Sequence, residues 1–216
     1  MRFKYLLLDW DGCVVDSLNL WRSTLKQRLA DLGVKATDKD VVSKVMGVRN
    51  AAEAFGLEMT PDEFWDPARD VVMSHVREVH HFPGVEDTVK QLFEKDVHMG
   101  IVTSTARRIY KEALGNRTIA QYFNASVTGT DVEKLKPDAE SLTKLILELG
   151  ANNEETLIVG DSPHDVQAGK NAGIATCLFY PKENHLFYSF EDLLAEEPTY
   201  LIEDFTDLLD IVLNKE

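Results

Sequence analysis

Phe3-Lys4-Tyr5-Leu6-Leu7-Leu8-Asp9-Trp10-Asp11-Gly12-Cys13-Val14-Val15-Asp16-Ser17 is the stretch on which the fold turns. It begins as a nearly continuous apolar run and ends abruptly in acid. A strand covered on both faces of a parallel sheet is apolar without alternation, so residues 3–8 read as such a strand. Asp9 and Asp11 stand at its carboxyl end, with Gly12 behind them. Residues two apart in extended backbone share a face, and two carboxylates on one face repel unless a cation or a proton lies between them.

The same pattern recurs outward along the chain. Residues 99–102 form an apolar run that ends in Thr103-Ser104, and residues 157–159 form one that ends in Gly160-Asp161. Weaker strand signals cover 125–128, 175–179 and 200–202. Between them, Val85, Val89, Leu92 and Phe93, and then Leu142, Leu145, Ile146 and Leu149, recur at helical spacing. Alternating strands and helices imply a parallel sheet covered on both faces, with ligands bound beyond the carboxyl ends of its strands. Asp9, Thr103 and Asp161 all fall there.

Residues 17–81 break the alternation. Leu18, Trp21, Leu25, Leu29 and Leu32 form one helical stripe, in which Trp21 reads as core. Val41, Val42, Val45 and Met46 suggest a second helix, and 61–79 at least one more. The reading is an α-helical insertion, with Pro83-Gly84 as the return hinge.

The chain of 216 residues carries a formal net charge of −14. That balance argues against nucleic acid or an anionic membrane as partner, and leaves room for a small phosphorylated metabolite in one local site. Cys13 and Cys177 form neither a zinc pattern nor a disulfide framework. The amino-terminal apolar run is too short to span a bilayer and has no small-residue cleavage site after it. The expectation is a soluble, cytoplasmic protein, a monomer or small homo-oligomer.

The opening stretch resembles the first motif of the haloacid dehalogenase (HAD) superfamily. Three more stretches resemble that family's later motifs, in the family's order. They are Ile101-Val102-Thr103-Ser104, then Lys136-Pro137 within Lys134-Leu135-Lys136-Pro137-Asp138, then Val159-Gly160-Asp161-Ser162-Pro163-His164-Asp165-Val166-Gln167-Ala168-Gly169 with Ala172-Gly173. Cys13 stands where the family usually has threonine, and Ala139 where many relatives have a second proline. The insertion resembles the small helical cap of the phosphoglycolate phosphatase and beta-phosphoglucomutase branch. The resemblance implies an α/β fold, a Rossmann-like doubly wound parallel sheet with an inserted α-helical cap domain. The core would be residues 1–16 and 82–216, and the cap 17–81.

It also implies a Mg2+-dependent phosphatase. Asp9 would be the nucleophile that forms an aspartyl-phosphate, and Asp11 the general acid and base. Asp9, the main-chain carbonyl of Asp11 and Asp161 would ligate the metal, with Asp165 binding directly or through water. Lys136, the Thr103 hydroxyl and the amides of Asp11, Gly12 and Ser104 would hold the phosphoryl oxygens. Arg49, in Met46-Gly47-Val48-Arg49, matches a specificity loop and would either bind a second anionic group of the substrate or stand solvated at a helix start. Arg107 and Arg108 read as a solvated helix face near the site. Two alternatives stay open: a sugar phosphomutase of the beta-phosphoglucomutase type, and a non-catalytic regulatory or binding protein on the same fold.

Overall fold

The computed structural model describes residues 1–115 and 117–214. Six strands form one sheet in the order β3-β2-β1-β4-β5-β6. They are β1 Tyr5–Leu8, β2 His98–Val102, β3 Ala125–Val127, β4 Thr156–Gly160, β5 Ala175–Phe179 and β6 Tyr200–Ile202. Every pairing is parallel. The helices are α1 Leu18–Asp31, α2 Asp38–Lys44, α3 Pro61–His75, α4 Val85–Phe93, α5 Arg107–Leu114, α6 Glu140–Leu149, α7 Pro163–Ala172, α8 Phe190–Ala195 and α9 Leu208–Leu213. This is the α/β, Rossmann-like doubly wound arrangement expected from the sequence.

The apolar run of β1 serves two cores at once. Leu6 and Leu8 pack on one face of the sheet with Met99, Ile101, Leu157 and Val159. Leu7 packs on the other with Val102, Val127, Leu145 and Ile158. A strand buried on both faces has no polar side to show, which is why its sequence does not alternate. In α4 the buried stripe is Val85, Thr88, Val89 and Leu92. Phe93, although it fits the period, lies to one side of that stripe, is 44% exposed and packs on Tyr122.

Strand β1 lies between β2 and β4, with Leu8 level with both Ile101 and Val159. The chain builds β2 and β3 on one side of β1 and then returns to build β4, β5 and β6 on the other. Such a reversal opens a crevice at the carboxyl edge. Helices α1, α2 and α3 all fall between β1 and β2. The segments leaving and returning run side by side, with Asp16 N donating to His80 O (3.0 Å) and Phe82 N to Val14 O (3.3 Å).

Two capping boxes start helices of this segment, Thr37 with Asp40 on α2 and Thr60 with Glu63 on α3. Pro67 sits inside α3 and has no N–H for the carbonyl one turn before it. Arg28 of α1 supplies a replacement, its Nη2 donating to Glu63 O at 2.7 Å. Its Nε also donates to Phe64 O at 3.1 Å, so the helix most weakened by its own proline is tied to α1. No helix among the described residues is long and apolar enough to cross a membrane.

Candidate active site

The carboxyl edge of the sheet forms the floor of a cavity of about 220 Å³. Asp9, Asp11, Arg49, Thr103, Ser104, Lys136 and Asp161 all line it. Asp165 and Gly12 lie just behind this lining, each touching a lining residue.

Asp9 continues β1, its amide donating to Val159 O at 2.9 Å. Lys136 reaches it from 127 residues away in the chain, its Nζ donating to Asp9 Oδ1 at 2.6 Å. The same ammonium donates to Asp165 Oδ1 at 2.5 Å and to Val102 O at 3.2 Å. Burial would lower the Lys136 pKa, but the Asp165 and Asp9 carboxylates more than reverse this, raising it above the usual lysine range. Asp165 is held on its other side by Ser162, whose Oγ donates to Asp165 Oδ2 at 2.5 Å. These bonds close the amino-terminal cap of α7 and fix the Asp165 carboxylate.

Oxygens of Asp9, Asp161 and Asp165 lie within 4.8 Å of one another, and all three residues are buried. Burial pushes Asp9 up to about 7 even with Lys136 beside it. Burial, and then the Asp9 and Asp165 charges, hold Asp161 well above the usual carboxylate range. Asp161 Oδ2 is buried without a hydrogen-bond partner. A buried, partnerless oxygen among three converging carboxylates is costly by itself and suits a hard divalent cation.

The Asp11 side chain belongs to a different group. Its Oδ1 accepts from Ser17 Oγ at 2.6 Å and Trp21 Nε1 at 2.9 Å, and its Oδ2 from Thr105 Oγ1 at 2.7 Å. The repulsion expected between Asp9 and Asp11 is therefore met by three donors on Asp11, not by a cation shared between their side chains. Thr103 Oγ1 accepts from Thr105 N at 3.0 Å, which leaves its own O–H as a donor.

Gly12 departs from expectation. Its amide donates to Val15 O at 2.9 Å inside the turn, so it is not the phosphate donor foreseen. Its φ is +83°, and a Cβ there would come within 2.4 Å of Asp161 Oδ2. Glycine is needed at this position to let Asp161 approach. Its carbonyl accepts from the buried Asn184 Nδ2 at 2.8 Å.

Arg49 lies on the cavity wall, and its Nη2 donates to Gly129 O and Val132 O, both at 3.1 Å. It thus bridges the helical segment to the loop after β3. Gly47 is close by: a Cβ on it would stand 3.0 Å from His164 Nδ1. Arg107 and Arg108 do not line the cavity. Arg107 pairs with Asp131, and Arg108 with Asp66 and Asp70.

Several residues here were not singled out for the site from sequence. Trp21, read only as core, also donates to Asp11. Ser17 sat inside the first quoted motif and Thr105 directly after the second, and both could have been found from their hydroxyls. Trp65, Arg69, His164 and Tyr188 also line the cavity. Burial, and then the Asp161, Asp165 and Asp9 carboxylates, hold the Tyr188 phenol well above its usual range.

A family model described as haloacid dehalogenase-like hydrolase matches residues 6–179. Pyrophosphatase PpaX of Halalkalibacterium halodurans is 31% identical over 227 aligned positions, covering 98% of each chain. Pyrophosphatase PpaX of Bacillus cereus is 35% identical over 215 positions, covering 98% of this chain and 97% of that one. Among solved structures, one described as a phosphoglycolate phosphatase from Lactobacillus plantarum superposes with a TM-score of 0.80 at 21% identity, covering 98% of this chain and 100% of that one. CbbY from Rhodobacter sphaeroides in complex with phosphate superposes with a TM-score of 0.78 at 16% identity, covering 95% and 96%. At these identities the solved structures speak for the fold alone.

Proposed function

Because the chain belongs to the haloacid dehalogenase-like hydrolases, we propose that it is a Mg2+-dependent phosphatase that transfers the phosphoryl group of a small metabolite to Asp9. The observation that carries this reading is the convergence of the buried Asp9, Asp161 and Asp165 within 4.8 Å, with Asp161 Oδ2 left without a partner. These donors fit Mg2+, which takes oxygen ligands. When bound, it would supply the positive charge that keeps the three carboxylates ionised and offsets the charge of the phosphate.

Asp9 attacks phosphorus in line with the leaving oxygen, forming an aspartyl-phosphate. Asp11, oriented by Ser17, Trp21 and Thr105, protonates the leaving oxygen. It then takes a proton from the water that attacks phosphorus and frees Asp9. Lys136 and the Thr103 hydroxyl donate to the phosphoryl oxygens, with the Ser104 amide beside them. We assign residues 17–81 as a cap over a core of 1–16 and 82–216, joined where Asp16 pairs with His80. In this reading Arg49 acts as the latch between them. Its Nη2 is already engaged by Gly129 and Val132, which favours that role over reading a second anionic group.

The test is phosphate release from a panel of phosphate monoesters, with and without Mg2+, by the wild-type protein and Asp9→Asn. The expected result is turnover that requires Mg2+ and falls by about a thousandfold or more in the variant, with the melting curve preserved. Metal-independent turnover, or near-normal activity of Asp9→Asn, contradicts the assignment.

A further inference from the structure

We propose that the substrate is a phosphate monoester whose alcohol carries an apolar, aromatic body, and not pyrophosphate or a phosphorylated carboxylic acid. This rests on the phosphatase reading above and narrows it.

The cavity is mostly polar where the sheet forms it and mostly apolar where the helical segment covers it, Arg49, Asp62 and Arg69 apart. Leu18, Trp21 and Leu25 come from α1, Met46 and Val48 from the loop after α2, and Trp65 from α3. Trp21 and Trp65 meet edge to face, with ring centroids 6.4 Å apart. A substrate whose phosphate sits at Asp9 must lay its leaving group against this wall.

A leaving group with a second anionic charge would need a cation there. Among the described residues lining the cavity, Arg49 and Arg69 are the cations on the helical side. Arg49 Nη2 is engaged by two core carbonyls, each at 3.1 Å. Arg69 Nη1 pairs with Asp66 at 3.0 Å and Asp62 at 3.5 Å, and its guanidinium lies over the Trp65 ring. Asp62 itself lines the cavity and would repel an anion. A phosphate or carboxylate placed here would have to share guanidinium groups whose charge already serves carbonyls and carboxylates, and would face the Asp62 carboxylate. An aromatic or aliphatic body would instead lose its water against Trp65, Trp21 and Leu25, a gain of about fourfold in binding for each buried methylene. The relatives named pyrophosphatase are about a third identical to this chain, and this wall argues against carrying their substrate over.

The experiment compares kcat/KM of the Mg2+-loaded protein for 2-phenylethyl phosphate, 2-phosphoglycolate and pyrophosphate. The first is expected to exceed each of the others by roughly tenfold or more. In Trp65→Ala the ratio of 2-phenylethyl phosphate to 2-phosphoglycolate should fall about tenfold, while Trp65→Phe keeps most of it. Loss of folded protein lowers both rates equally and cancels from that ratio. A separate titration of tryptophan fluorescence with 2-phenylethylphosphonate and phosphonoacetate reads binding without turnover. Preference for pyrophosphate or 2-phosphoglycolate, or a ratio unmoved by Trp65→Ala, overturns the inference and leaves the phosphatase reading standing. Selective binding of the aromatic phosphonate without turnover of any substrate sinks the phosphatase reading alone. Neither binding nor turnover sinks both.

Discussion

The floor and the wall of the cavity differ in how their side chains are held. Asp9, Thr103, Lys136, Asp161 and Asp165 on and beneath the floor are each 6% exposed or less, yet all are polar. Asp9, Thr103 and Asp161 stand at the ends of β1, β2 and β4, Asp165 in the first turn of α7 and Lys136 on the loop before α6, and short charge-assisted bonds tie Lys136 to Asp9 and Asp165. The wall is held by aromatic contacts and by two arginines that reach main-chain carbonyls, Arg28 within the helical segment and Arg49 across to the core. In the proposed reading the sheet fixes where phosphorus lies, and the helical segment chooses what is attached to it. A change in the floor should therefore affect every substrate, whereas a change in the wall should affect the choice among them.

The largest effect is expected on the floor. Lys136→Met leaves Asp9 and Asp165 buried without their shared cation. Turnover should fall about a thousandfold, and stability by ~3–5 kcal/mol, with Mg2+ restoring part of the melting temperature. Thermal melts and kcat on two unlike substrates check this. A loss confined to one substrate would break the comparison.

Thr105→Val removes one donor from Asp11 and nothing from the Asp9 group. A hydrogen bond to a charged group accounts for ~1.5–3 kcal/mol, so kcat should drop at least about tenfold for all substrates. The loss should fall on kcat and leave KM close to wild type, because Thr105 holds Asp11 and not the substrate. An unchanged kcat would mean that Thr105 is only packing. Arg49→Ala tests the latch. A three- to tenfold fall in kcat/KM is expected, on the scale of about one lost hydrogen bond, with similar size for singly and doubly anionic substrates. If only the doubly anionic ones suffer, Arg49 reads the substrate directly.

The smallest effect concerns the loop that Arg49 grips. Burial would raise the Asp131 pKa, but Arg107 and Thr128 more than reverse this and hold it at about 2, against 3.8 for a free aspartate. A carboxylate with a lowered folded-state pKa stabilises fully above its unfolded value and loses that contribution as pH falls through the folded one. The melting temperature of Arg107→Gln should therefore lie below wild type above about pH 4, and the gap should close as pH falls toward 2. A gap constant down to pH 2 would show that the pair contributes nothing through ionisation.

The sequence made the floor readable because each of its residues sits in a short contiguous motif, Asp9, Thr103 and Asp161 directly after a buried strand. Strands β1, β2 and β4 announced themselves as apolar runs ending in polar residues, while β3, β5 and β6 gave weaker signals. The wall was harder to read. Hydrophobic periodicity registers the apolar body of Trp21 but not the indole N–H that donates to Asp11. Trp65 and Arg69 reach the cavity from one turn of α3 and Tyr188 from a loop more than a hundred residues later, and no local pattern links α3 to that loop. Gly12 was recognisable as special, but its reason is the approach of Asp161, which appears only when β1 and β4 lie side by side.

The most direct test is acid quenching of the Mg2+-loaded protein during turnover of 32P-labelled acetyl phosphate, followed by peptide mapping. Label on the peptide containing Asp9, absent from Asp9→Asn, is the predicted result. Turnover with label on another residue, or with none trapped under quenching fast enough to catch a single cycle, would contradict phosphoryl transfer to Asp9.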